Sequence, residues 1–391
     1  MKALVLIDGE HYAPVVRDAL AALPYDVVGV LLVGGTEKLT DADDYGVPLV
    51  DALDAVEADV VVDLSDEPVL GPRERLLWAS RSLALGLPYA GADFRFDPPQ
   101  LHPLQVPSLA VIGTGKRIGK TAVAGHVARV LARDRRVVVV AMGRGGPPEP
   151  ELVESPPSLD DLLALARSGR HAASDHLETA ALAGVPTVGC RRAGGGLAGA
   201  TFDSNVLEGA ALAAELDPEL LLFDGSGAAV PPVASDARIL VTNGQHDVRA
   251  GLNAYRVLVS DLVVDTGGAD RDAIASIADV PVVAAELRLR PAEPLQGRRT
   301  AVFTTGPAPV GHLDAELVHV SRNLARRDLL GEELANVDAD VYLVELKAAA
   351  IDVVAEAAVA GGARVVLAAN DVVSDELDER VYGLVAERSL R

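Results

Sequence analysis

At 391 residues with a formal charge of −22, the chain is long enough for two or three cores and too acidic to attract nucleic acid or anionic lipid by its overall field. Hydrophobic residues make up 49% of it, yet the longest apolar runs, "VVVVAM" and "LLLF", are strand-sized and well short of the ~20 residues a membrane helix needs. A single cysteine, Cys190, excludes an intramolecular disulfide framework, and "MKALVLIDGEHY" reads as a first strand rather than a signal peptide, so the expected setting is the cytoplasm.

In chain order, "ALVLID", "DVVGVLLVGG" and "ADVVVDLSD" are continuous apolar runs ending in Gly or Asp, as parallel strands covered on both faces require. Amphipathic stretches such as "APVVRDALAAL" lie between or after them. The segment 96–107, "FDPPQLHPLQVP", holds four prolines in twelve residues and reads as a boundary. A second block begins at "SLAVIG" and continues through "RVVVVAM", "TVGC", "LLLFDG", "ARILVTN" and "DLVVDT". After "PAEPLQGRR", a third block carries "TAVFTT", "ELVHV", "DVYLVEL" and "ARVVLAA". This alternation predicts an α/β fold of doubly wound, mostly parallel sheets, divided at 1–105, 106–298 and 299–391. The first block would complete the fold or contribute to substrate binding.

The stretch 111–123, "VIGTGKRIGKTAV", joins the first strand of the central block to a helix. Helix N-termini expose unpaired N–H groups at the positive end of the helix dipole, and glycine lets the backbone curl around an anion. Gly113, Thr114, Gly115, Gly119, Lys120 and Thr121 are therefore the candidate nucleotide-binding residues. Lys120 would reach the terminal phosphates and the Thr121 hydroxyl would take Mg²⁺. The chain has only five lysines among its 35 basic residues, and two of them, Lys116 and Lys120, stand in this loop. The usual phosphate-loop pattern wants glycine where Thr114 stands.

Further charged, glycine-rich loops follow apolar runs. Arg144 lies in "AMGRGGPPEPE", Arg191 and Arg192 precede three glycines in "VGCRRAGGGLAG", and Asp224 ends the strand of "FDGSGAAVPP". Arginine presents a fork suited to phosphate, and a carboxylate at such a strand end commonly holds Mg²⁺ directly or through water. In "HAASDHLETAALAG", Ser174 or Asp175 caps a helix with Glu178 nearby, while His171 and His176 are candidates for a phosphate contact or proton transfer. Lys347, in "VELKAAAIDV", stands at a strand-to-helix turn. In the first block Asp8, Glu10, His11, Asp63, Asp66 and Glu67 fall at strand ends, as ligands of substrate or metal or as loop caps.

The spacing Gly-Thr, four residues, then Gly-Lys-Thr resembles the loop of dethiobiotin synthetase, in the branch that includes partition and cell-division ATPases. Those ATPases carry a second lysine where this chain has Gly115. Over nearly the whole chain, "LIDGEHY", "VGGTEKL", "DLSDEPV", "YAGADFRF", "IGTGKRIGKTAV", "HAASDH" and "VGCRR-GGG" resemble cyclic 2,3-diphosphoglycerate synthetase. The resemblance implies a ligase with a central phosphate-loop NTPase domain flanked by α/β domains. Its activity would be ATP-dependent closure of 2,3-diphosphoglycerate through an intramolecular phosphoanhydride, with ATP and Mg²⁺ as cofactors. Lys120, Lys116, Arg117 and Arg144 would serve catalysis, and Arg144, Arg191, Arg192, His171, His176 and Lys347 would hold substrate. Thr121 and Asp224 would hold metal, Asp224 standing where the resemblance leads one to expect glutamate. The expected partners are the small acidic substrate and a second copy of the chain in a dimer, with neither nucleic acid nor membrane. The alternatives are a small-acid kinase or ligase of the dethiobiotin synthetase type and a partition-type regulatory ATPase. Gly115 and the acidic C-terminal helix "DELDERVYGLVAERSLR" weigh against the latter.

Overall fold

A computed structural model describes residues 1–40, 44–172, 174–306, 308–347 and 349–388, so the last three residues of the acidic C-terminal segment lie outside it. The chain divides into two compact units. One comprises Met1–Gln100, Asp247–Val259 and Asp270–Val280, and the other comprises the remainder.

In the first unit, six strands form one sheet: β1 (Lys2–Asp8), β2 (Asp26–Gly34), β3 (Leu49–Val50), β4 (Val60–Asp63), β5 (Tyr89–Ala90) and β6 (Arg95–Phe96). Their order is β3-β2-β1-β4-β5-β6, parallel except for the last pair. Ala3–Ile7 of the central strand are at most 1% exposed, which explains why that run is continuously apolar. Helix α1 (Ala13–Ala22) starts at a proline, whose fixed φ suits a first helical turn and whose missing N–H costs nothing there. Helix α2 (Pro72–Ala84) starts the same way. Two short helices from much later in the chain, Asn253–Leu258 and Arg271–Ile277, belong to this unit, the former packing on α2.

The second unit holds two sheets. The larger contains β7 (Ser108–Gly113), β8 (Val137–Gly143), β9 (Glu151–Val153), β10 (Thr187–Ala193), β11 (Asp203–Ser204), β12 (Leu220–Asp224), β13 (Ala237–Thr242), β14 (Leu262–Asp265) and β15 (Val282–Ala284). Its order is β11-β10-β8-β12-β7-β13-β14-β15, with β9 also pairing with β10. Only β9 and β11 run antiparallel to their partner. The smaller sheet orders β16 (Glu286–Pro291), β17 (Arg299–Phe303), β18 (Glu316–Ser321), β19 (Val341–Glu345) and β20 (Arg364–Val373) as β16-β20-β19-β17-β18. Strand β16, assigned by the sequence division to the central block, pairs antiparallel with β20 across about eighty residues of chain. No local pattern could announce such a partner.

Helix α3 (Lys120–Leu131) joins the two sheets of this unit. Its Val123, Val127 and Leu131 lie in one buried cluster with β7, β8 and β12, and with Val372, Leu377, Val381 and Val385 from the end of the chain. Fully burying each such side chain is worth roughly 1.5–3 kcal/mol. Polar contacts fix the same seam: His126 Nε2 lies 2.7 Å from Asp378, and the Tyr382 hydroxyl donates to the Val130 carbonyl at 2.9 Å. The acidic terminal helix is thus a packing element on α3. Helices α4 (Leu159–Arg167) and α5 (Asp175–Ala183) bring Leu162, Leu163 and Leu177 into a second cluster with Phe303, Tyr342 and Val344 of the smaller sheet. No helix among the described residues is long and apolar enough to cross a membrane.

Candidate active site

Ligands of parallel sheets sit beyond the carboxyl ends of the strands. In the second unit both sheets obey this rule at one place. A cleft of about 660 Å³ is lined by residues following β7, β8 and β12 of the larger sheet and by residues following β17 and β19 of the smaller.

The phosphate loop forms one wall. Gly119 stands at the N-cap of α3 with φ 79°, a left-handed conformation, and a Cβ there would lie 2.5 Å from Leu287. The loop is pinned on both flanks. The Thr114 N–H donates to the Val241 carbonyl at 3.2 Å, its hydroxyl lies 3.0 Å from that of Thr242, and the Thr266 hydroxyl donates to the Ile118 carbonyl at 2.8 Å. Thr114 can therefore replace the usual glycine because its side chain is buried against β13. Gly113 and Thr114 underlie the loop, whereas Gly115, Gly119, Lys120 and Thr121 line the cleft with Lys116 and Arg117. His246, unmarked in the sequence, rests its ring where a Cβ of Gly115 would stand and donates from Nε2 to the Lys116 carbonyl at 3.2 Å.

Lys120 is turned toward Asp224 and donates to its carboxylate and to the Gly225 carbonyl. The lysine is 8% exposed and the aspartate 2%. Burial raises the pKa of Asp224 above the usual carboxylate range, with the Lys120 ammonium opposing it. Asp224 thus stands behind Lys120 and not in the open cleft.

Cations gather around Gly227. A Cβ on that residue, whose φ is +59°, would lie 3.0 Å from Arg144 Nη2, 3.7 Å from Arg192 Nη2 and 3.8 Å from Lys116 Cγ. Arg192 donates to the Ser226 carbonyl at 2.9 Å and to its hydroxyl at 3.2 Å; burial and the neighbouring Arg144 hold its pKa below the usual value. Arg191 does not join this group. Successive residues of a strand point to opposite faces, so adjacent arginines on β10 cannot share a target. The Arg191 side chain is exposed and does not line the cleft, while its N–H donates to Asn205 Oδ1 at 2.7 Å.

The first turn of α5 supplies Asp175, His176 and Glu178. Ser174 occupies the N-cap, but its hydroxyl makes no cap bond; it lies 3.2 Å from His176 Nδ1 and 3.4 Å from the His171 carbonyl. The capping expected of Ser174 is replaced by this local contact. His176 packs where a Cβ of Gly189 would stand, and burial depresses its basicity. His171 is exposed on the cleft wall.

Opposite, Lys347 donates to the Glu178 carboxylate. Burial alone would lower the pKa of Lys347, but Glu178, Asp175 and Glu345 carry it above the ordinary lysine value. Glu345 itself accepts from the Thr305 N–H at 2.9 Å, the Thr305 hydroxyl at 3.0 Å and Asn370 Nδ2 at 2.7 Å. Sequence reasoning passed over Thr304, Thr305, Glu345 and Asn370. The signal was available, since "FTT" and "VEL" end parallel strands just as the phosphate loop does.

This strand–loop–helix site defines a phosphate-loop nucleotide-binding protein. Comparison with known sequences narrows the class. Residues 2–97, 108–282 and 291–371 match the profiles of the N-terminal, P-loop and C-terminal domains of cyclic 2,3-diphosphoglycerate synthetase. The synthetase of Rubrobacter xylanophilus is 47% identical, covering 97% of this chain and 96% of that one. Those of Thermococcus onnurineus and Methanothermus fervidus are 41% and 39% identical, covering 99% and 96% of this chain and 98% and 94% of theirs. Among solved structures, LpxK from Aquifex aeolicus in complex with ATP aligns with 73% of this chain and 90% of its own, at a TM-score of 0.44 and 16% identity. The chain belongs to the cyclic 2,3-diphosphoglycerate synthetase family.

Proposed function

We infer that this protein is an ATP-dependent ligase that closes 2,3-diphosphoglycerate into its cyclic form, releasing ADP and phosphate. The observation that carries the reading is the convergence of Lys116 and Arg144 on Gly227 beside the phosphate loop, in a cleft that Lys347 also lines, with Arg192 outside the lining but bonded to Ser226. The two reactants bring many negative charges into one cleft, so oriented cations and N–H groups must supply most of the catalysis.

In the first step the γ-phosphoryl passes from ATP to an oxygen of one substrate phosphate, breaking the β–γ bridge and releasing ADP. An oxygen of the second substrate phosphate then attacks the phosphorus of the first. The bond to the transferred phosphoryl breaks, and orthophosphate leaves. Lys120 exchanges Asp224 for the nucleotide phosphates, while Lys116, Arg117 and Arg144 neutralise the charge that accumulates in transfer. Arg192 holds Ser226 in place beneath them, and His171 and Lys347 contact the acidic substrate.

Magnesium, when bound, neutralises charge on the transferred group. Among the described residues no cluster of three His, Cys, Asp or Glu could hold a metal by itself. The Thr121 hydroxyl, which lines the cleft, and the Asp224 carboxylate, once Lys120 leaves it for the nucleotide, would suit an ion that keeps several waters and binds chiefly through substrate phosphates. Phosphorus-31 NMR of the protein with ATP, Mg²⁺ and 2,3-diphosphoglycerate should show a new phosphoanhydride resonance with ADP and phosphate in equal amounts. Phosphate release with 2-phosphoglycerate or diaminopelargonate and none with 2,3-diphosphoglycerate would overturn the reading. A dimer and a cytoplasmic setting belong to the same reading, the former checked by light scattering.

A further inference from the structure

Glu178 is a carboxylate in a cleft that should repel one. It leaves the first turn of α5 and engages Lys347, from the segment after β19; its side chain is 9% exposed and that of Lys347 27%, and both line the cleft. The charged groups facing this pair are Asp175 from the same helix and Glu345 from the end of β19, with His171 and His176 on the adjoining wall. Glu345 is committed to Thr305 and Asn370, as described above. Among the described residues Glu178 has only the ammonium to compensate its burial, which pushes its pKa up to about 7 even so.

A phosphate ester fully ionised above neutrality carries two negative charges. Delivered to Lys347, it would share one ammonium with a buried carboxylate, and like charges in a site of low polarity cannot all remain ionised. Glu178 is the group that yields most easily. We propose that Glu178 stands in for the substrate: a phosphate oxygen takes its place on Lys347, and the displaced carboxylate binds a proton from solvent. The proposal rests on the reading of the cleft as a 2,3-diphosphoglycerate site. It also gives the cleft a way to let product go. Ring closure leaves each phosphorus with one ionisable oxygen instead of two, so the product holds Lys347 less firmly; Glu178 then sheds its proton and recaptures the lysine.

Calorimetric titration of the full-length protein with 2,3-diphosphoglycerate, in two buffers of different ionisation enthalpy at pH 8, counts the protons bound. The substrate phosphates are ionised at that pH and Glu178 is largely so, and uptake of close to one proton per site is expected. Affinity should accordingly fall by up to about tenfold per pH unit above 7. In E178Q the uptake attributable to this group should vanish and the pH dependence flatten, with binding at pH 8 at least as tight as in wild type. Any uptake by His171 or His176 would persist in that variant and is thereby separated. The KM for substrate in steady state should rise with pH in wild type and stay flat in E178Q, which tests the same linkage during turnover. A wild-type protein that takes up no proton at pH 8, or an E178Q variant that takes up as many, overturns the proposal. Cyclic product formed without proton uptake sinks only the role of Glu178, whereas absence of cyclic product sinks the reading on which it rests.

Discussion

Buried carboxylates occur in both units, at the ends of parallel strands and, for Glu178, in the first turn of a helix, and they are held in two ways. In the first unit, Asp8 accepts the N–H groups of Asp66 at 2.8 Å and Glu10 at 3.0 Å, and pairs with His11 Nδ1 at 2.7 Å. Asp63 accepts the Ser65 N–H at 2.9 Å, the Ser65 hydroxyl at 2.5 Å and the Tyr89 hydroxyl at 2.6 Å, and also pairs with Arg75 Nε at 3.4 Å. Most of these donors are fixed in place by backbone or short side chains. In the second unit Glu345 is held in the same way by Thr305 and Asn370, whereas Asp224 and Glu178 each depend on the ammonium of a long lysine side chain reaching from another element. A carboxylate saturated by short-range donors fastens the fold. One that relies on an ammonium can trade that partner for a ligand, and this separates the two kinds.

The contrast should break most visibly at Lys120. Replacing it with methionine is expected to lower kcat by at least ~10³-fold, the order of loss for removing a principal charge stabiliser from an electrostatic site. It should also lower the melting temperature, because Asp224 is left buried and uncompensated. Arg144 should be milder: R144A is expected to reduce kcat/KM by ~10²-fold, about 2.7 kcal/mol, with no change in melting temperature, since the side chain is exposed. Unchanged kcat/KM in R144A would remove this arginine from the site. In the first unit the effect should move from rate to stability. D63A strands the hydroxyls of Tyr89 and Ser65 and is expected to cost about 1–3 kcal/mol in urea unfolding. A D63A protein as stable as wild type would end its role as a fastener.

The smallest effect concerns pH. The hydrogen bond to Asp8 raises the pKa of His11, so its contribution is present in full below about 6.5 and is lost as pH rises through the elevated value. Burial would raise the pKa of Asp8, but the N–H groups of Asp66 and Glu10 and the His11 ring lower it, so its contribution is present above about 4 and is lost in acid. Stability of the first unit should therefore be greatest between these limits. H11Q should flatten the alkaline side of the profile, as urea unfolding at pH 6 and pH 9 would reveal.

The sheets and the phosphate loop were legible because they depend on local features: apolar runs of strand length, glycine before a helix, and a lysine in a chain that rarely uses lysine. What lay outside that reach was directional or distant. "CRRAG" places two arginines together, yet strand alternation sends only Arg192 toward Gly227. Ser174 reads as a cap, but His176 lies close enough to hold its hydroxyl. Glu178 and Lys347 are 169 residues apart, and only the packing of α5 against the smaller sheet brings them together.

The first unit is assembled from three separate stretches of chain, and this bears on how the protein could be inherited. Residues 253–258 and 271–277 fall within the stretch matching the P-loop profile, yet they bury Tyr255, Val257, Ile274 and Ile277 in the first unit. A gene fusion or deletion cut near residue 100 would leave those helices with bare apolar faces and α2 without its neighbour. The amino-terminal domain is therefore no detachable cassette: it can be exchanged between lineages only if the two later helices travel with it.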